Sequence, residues 1–196
     1  LWAIPLFMLQ GLLITWLYAG QHEASHATVF KTRWANEWLG RFTGFLLMFP
    51  RDFDRWMHLT HHRYTQDPER DAELVGRGKE EPGKWALVFG MSGLSLWQFL
   101  ATMLLRHALL GKKDEISEYY LSDEEERQVV REARLHLAGY LLIALVSIAM
   151  GSWAAVILWV APTVAMNWTH TIQNVIEHTG MPYISDTWQN TRTTRT

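Results

Sequence analysis

The chain has 196 residues, a formal net charge of −2 and no cysteine. That length suits one domain, and the net charge gives no reason to expect a nucleic-acid partner. The missing thiols exclude disulfides, thiolate zinc sites, iron–sulfur clusters and cysteine nucleophiles. Any metal must therefore be held by His, Asp, Glu or Asn, and nine histidines are present.

The mean hydropathy of −0.08 conceals strong segregation of apolar and charged blocks. Leu1 to Gly20 carries no charge, and Gln10 is its one strongly polar interruption. As a helix it would be about 30 Å long, the thickness of a bilayer's hydrocarbon core, so 1–20 is predicted to be transmembrane. No basic region precedes it, so it does not read as a signal peptide. The polar segment 21–84 follows, predicted to be cytosolic, and opens on His22-Glu23-Ala24-Ser25-His26. Histidines four apart share a helix face and could hold one metal ion. The same letters spell the zinc-protease signature, with the glutamate as general base. Further on, His58-Leu59-Thr60-His61-His62 puts three imidazoles on one face at i, i+3 and i+4.

The apolar run 85–105 is flanked on both sides by Lys/Arg-rich segments. The positive-inside rule places both flanks in the cytoplasm, so this run is predicted to be interfacial or re-entrant. In the segment 106–136, also predicted to be cytosolic, Ser122 followed by Glu125 forms a capping box that opens a solvated helix. The charge-free stretch 137–169 is too long for one upright span and is predicted to be a transmembrane hairpin turning at Met150-Gly151-Ser152, with a kink at Pro162. Trp2, Trp16, Trp153 and Trp168 lie near the ends of the apolar runs, where an aromatic belt would sit. The segment 170–196, again predicted to be cytosolic, adds Asn174 and His178 at i and i+4, with His170 one turn before.

The fold class that follows is all-α: a single-domain, multi-pass helical membrane protein with a histidine-rich metal site on the cytosolic side. Six convergent histidines exceed what one tetrahedral zinc takes and suit two metal ions, or one ion with a supporting network. Imidazole by itself permits zinc, iron, copper or nickel. Carboxylate-bridged di-iron bundles need two Glu-x-x-His motifs, and Glu23–His26 is the only such spacing.

The ordered set "HEASH", "RWMHLTHHRYTQDPERDAEL" and "QNVIEHTG", set among apolar helices, resembles the membrane-bound fatty acid desaturase and hydroxylase superfamily. The resemblance implies a di-iron enzyme that uses O2 and electrons from a carrier protein, such as a ferredoxin, a rubredoxin or a cytochrome b5-like protein, on a fatty acyl lipid. It implies His22, His26, His58, His61, His62 and His178 as iron ligands, with Asn174 reaching iron through water. Glu23, Asp67, Asp71 and Glu177 are candidates to orient the imidazoles. His107 and His136, beside basic residues at predicted helix ends, are expected to be structural. The family's last HxxHH box is absent, and a C-terminally truncated chain is expected.

Three alternatives stand beside a desaturase. A related hydroxylase or ketolase of carotenoids, sterols or alkanes shares the histidine boxes. A membrane zinc protease would use His22, His26 and Glu23 but leaves His58, His61 and His62 unexplained. A non-catalytic metal-binding or transporting protein would be expected to carry its ligands within the spans.

Overall fold

The computed structural model describes residues 2–74, 84–112, 117–172, 180–186 and 189, and these contain helices and no strand. Helix α1 spans Ala3–Ser25, α2 Arg33–Leu47 and α3 Arg51–Tyr64. The apolar run 85–105 breaks at Ser92–Gly93 into α4 (Lys84–Met91) and α5 (Leu94–Leu105), which ends in a wider turn over Arg106–Leu110. Helix α6 covers Asp123–Ala149, and α7 (Ala161–Met166) follows a wide turn at Val156–Val160.

Among the described residues two helices, α1 with 23 residues and α6 with 27, are long and apolar enough to cross a membrane. Ile4, Leu6, Leu13 and Trp16 on α1 each leave more than half of their surface exposed, as do Leu142, Leu145 and Ile148 on α6. Such outward apolar faces are stable against lipid rather than water. The inward face of α1 is small or polar instead: Gly11, Thr15, Gln21, Ala24 and Ser25 are buried. Small residues let helix backbones approach closely where lipid supplies no hydrophobic drive. At Gly11 a Cβ would lie 2.1 Å from the Pro162 carbonyl oxygen, so only glycine fits where α1 meets α7. Next to it, Gln10 donates from Nε2 to the Leu158 carbonyl at 3.1 Å. Leu158 is the residue whose carbonyl Pro162, having no N–H, leaves without its usual i−4 donor. The one strongly polar residue of the apolar run thus compensates for the single proline of the second arm.

The capping box forms as expected: Ser122 N donates to Glu125 Oε2 at 2.7 Å, and Glu125 N donates to Ser122 Oγ at 3.4 Å. The helix it opens differs from expectation, because the polar stretch 123–136 and the apolar stretch 137–149 are one unbroken helix. Nothing in the sequence between them stops a helix. The chain then reverses at Gly151, whose φ of +59° is the left-handed conformation glycine adopts without strain. The returning arm packs against α1, and it touches α6 where Trp159 and Tyr140 meet with ring centres 5.9 Å apart.

Helix α2 ends between these arms. The last carbonyls of a helix lack the regular i+4 donors. Tyr140 Oη donates to the Phe45 carbonyl at 3.0 Å and Trp159 Nε1 to that of Leu46 at 2.6 Å. Beneath lies an apolar core that includes Phe53, Met57, Leu100, Met103 and Val129, joining α3, α5 and α6. A buried charge cluster also joins α3 to α6: Arg51 Nη1 bonds Asp52 Oδ1 at 2.6 Å, Arg41 Nη2 bonds Asp52 Oδ2 at 3.1 Å, and Asp52 N donates to Glu132 Oε2 at 2.5 Å.

Candidate metal centre

His22 is on the last turn of α1, His26 caps that helix, and His58 and His62 stand one turn apart on α3. The two helices run in the same direction here, so the histidines face each other in order. The His22 and His58 ring centres are 4.4 Å apart, those of His26 and His62 4.9 Å, and those of His58 and His62 4.3 Å. One nitrogen from each of the four rings lies within 4.8 Å of all the others. His26 Nε2 and His58 Nε2 approach to 3.0 Å. Two nitrogens bound at 2.0–2.1 Å to one ion would be about 2.9–3.4 Å apart for right-angle to tetrahedral geometry. The His26–His58 pair falls in that range, and the four rings together form a candidate transition-metal site.

The electrostatics favour the same form of the ligands. Burial, reinforced by the neighbouring imidazoles, pushes the His58 pKa down to about 2 and that of His62 to about 4. His26 is lowered too, by burial and then by His22. A neutral imidazole has the free lone pair that a metal needs.

His61 stands apart from the four, its ring centre 5.8 Å from that of His62. Its Nδ1 lies 2.9 Å from Asp71 Oδ1 and 3.0 Å from Oδ2. Asp71 is fully buried and also accepts from the backbone N–H groups of Gln66 at 2.7 Å and Glu73 at 2.9 Å. With Nδ1–H donated to the carboxylate, Nε2 of His61 keeps its lone pair. This is the arrangement in which an outer carboxylate orients a ligand histidine.

The other expected orienting residues divide. Glu23 Oε1 lies 3.1 Å from His22 Nδ1, and its Oε2 accepts from Thr28 Oγ1 at 2.8 Å. Asp67 reaches no histidine of the cluster; it accepts from Arg70 Nε at 2.8 Å and Glu69 N at 3.0 Å, shaping the loop around Asp71. His170 is not one of the four either, and its ring meets the edge of Tyr18 at 4.3 Å. His136 lies in the interior of α6 rather than at a helix end, bonded through Nδ1 to Tyr140 Oη at 3.2 Å. His107 is buried in the turn after α5, against Phe53 at 5.4 Å. Asn174, Glu177 and His178 lie outside the described residues.

The chain's affinities can be set beside this geometry. The sequence model of one family, fatty acid desaturase, matches residues 1–196. The chain is similar to the sn-1 oleoyl-lipid 12-desaturase of Picosynechococcus sp., at 22% identity over 182 residues, which are 90% of this chain and 50% of that protein. It is similar to the sn-1 oleoyl-lipid 12-desaturase of Arthrospira platensis, at 24% identity over 176 residues, 86% of this chain and 48% of that one. The chain thus spans about half the length of the curated relatives it matches. No solved structure matches it.

Proposed function

Because this chain belongs to the fatty acid desaturase family, we propose that it is the histidine-bearing part of an O2-dependent di-iron oxidoreductase that introduces a double bond into the acyl chain of a lipid or thioester. The observation that carries this reading is the convergence of His22, His26, His58 and His62 within 4.8 Å. Iron, when bound, would supply a redox-active centre able to use O2 against an unactivated methylene, which zinc cannot do.

The protein's own groups do the holding. Four neutral imidazoles offer lone pairs to one ion, and Asp71 orients His61 as a further ligand. His178 and Asn174 are proposed to complete the set for a second ion. The relatives named as oleoyl-lipid desaturases support an acyl lipid as the substrate class. The exposed apolar faces of α1 and α6 support a cluster at the ends of spans, within reach of such a chain from the bilayer. The basic segments flanking α4 and α5 support a multi-pass arrangement with the site on the cytoplasmic side, open to a ferredoxin, rubredoxin or cytochrome b5-like donor.

The test is elemental analysis of the full-length protein purified without a metal-chelating tag, paired with lipid analysis of expressing cells. About two irons per chain, new acyl double bonds, and loss of both in His58→Ala are expected. One zinc with no iron after iron-supplemented growth would overturn the reading; new hydroxyls without double bonds would move it to the hydroxylases.

A further inference from the structure

The two histidine ridges extend one turn deeper than their histidines. On α1, Tyr18, His22 and His26 follow each other at intervals of four; on α3, Asp54, His58 and His62 do the same. They face each other as three rungs. His22 meets His58, His26 meets His62, and below them Tyr18 Oη donates to Asp54 Oδ1 at 3.3 Å. Gln21, on the same turn of α1 as His22, donates from Nε2 to Asp54 Oδ2 at 2.9 Å and to the Phe49 carbonyl at 3.2 Å. Asp54 and Gln21 are almost entirely buried. The Tyr18 ring is itself gripped, stacked on Phe49 at 6.1 Å and met by His170 at 4.3 Å.

We propose that Asp54, Gln21 and Tyr18 form a register lock: they fix α1 against α3 so that the two histidine pairs meet, and thereby set the metal affinity of the cluster. The inference rests on the metal-site reading above. A helix sliding by one residue moves 1.5 Å along its axis, which is most of a metal–nitrogen bond. Apolar contacts between α1 and α3 tolerate such a slide; a buried carboxylate held by two donors from one helix does not, because each lost bond leaves a desolvated polar group. None of the three residues needs to touch the metal. They are positioning residues that act through His22 and His58.

The experiment is a Co2+ titration of the metal-stripped, full-length protein, read by the visible ligand-field spectrum and its dissociation constant, with metal-free thermal unfolding alongside. Asp54→Leu removes both bonds and should weaken Co2+ binding by about tenfold to a hundredfold, the range for losing an outer-shell partner, with a changed spectrum. Asp54→Asn keeps both bonds, its amide oxygen accepting from Gln21 and its amide nitrogen donating to the Tyr18 hydroxyl oxygen. It should bind within about threefold of wild type. Tyr18→Phe and Gln21→Leu should fall between these, and they decide the matter if Asp54→Leu does not fold. Wild-type binding and an unaltered spectrum in Asp54→Leu, or in both milder variants, would overturn the lock. So would a loss in Asp54→Asn equal to that in Asp54→Leu, which would assign the effect to charge. A wild-type protein that binds no Co2+ would instead overturn the metal-site reading on which the lock rests.

Discussion

The carboxylate of Asp71 grips Nδ1 of His61 with both oxygens, at 2.9 and 3.0 Å, and each oxygen also accepts a backbone N–H. Among the described residues its hydrogen-bond partners are two backbone N–H groups and, in the tautomer protonated at Nδ1, His61, all donors. Asp71→Asn therefore turns one acceptor into a donor facing another donor, whichever way the amide is placed. We predict a fall in iron affinity of about tenfold to a hundredfold, and a stability loss of about 1–3 kcal/mol from the buried group left unsatisfied. Iron content after dialysis against a graded chelator measures the first, and denaturant unfolding the second.

Asp52 neutralises Arg51 at 2.6 Å where both side chains are almost wholly buried. Removing one partner of such a pair leaves an uncompensated charge in the interior. Asp52→Ala should cost about 3–5 kcal/mol, whereas Arg33→Ala, at an exposed pair with Glu37, should cost less than about 1 kcal/mol. Unfolding of both variants in the same detergent tests the contrast; equal losses would show the buried cluster to be dispensable.

Gln10 and Gly11 hold the contact between α1 and the returning arm by different means, a hydrogen bond to the Leu158 carbonyl and the lack of a side chain against Pro162. Gln10→Leu is predicted to cost about 0.6–1.5 kcal/mol, as expected for one interhelical bond in lipid. Gly11→Val must push the two backbones apart and should cost more, about 1–3 kcal/mol or above. Reversible unfolding in mixed micelles ranks the two, and the reverse order would count against this account of the contact.

Asp54 provides a pH dependence of unusual sign. Burial first, and then Glu73, push its pKa up to about 7, against the hydrogen bonds from Gln21 and Tyr18 and the charge of Arg51, which lower it. A carboxyl with a raised pKa binds its proton more tightly in the folded state. Its contribution to stability is fully present below pH 4, where it is protonated in both states, and declines as pH rises towards 7. The loss is at most about 4 kcal/mol. Asp54→Asn cannot ionise, so its stability relative to wild type should rise between pH 4 and pH 7 and then level off. Parallel thermal-unfolding curves for the two proteins across that range would refute the assignment.

Much of the site could be read in the chain itself, because helical periodicity is local. Spacings of three and four residues place His22 with His26, and His58 with His62, on shared faces before any tertiary contact forms. Composition likewise determined the apolar runs, the capping box at Ser122 and the reversal at Gly151. Periodicity cannot say which faces meet. The register that sets Tyr18 against Asp54 and His22 against His58 joins residues 36 positions apart. The choice of Asp71 over Asp67 as partner of His61 depends on how the loop 65–74 closes, since both carboxylates lie at plausible distances along the chain. Gln10 in an apolar run looked like an interruption, and only the packing of α7 on α1 showed it answering Pro162. The sequence by itself determined which groups are available for chemistry and on which local faces; the tertiary structure decided their pairing, because burial gives a specific hydrogen bond or charge a large effect on which packing is stable.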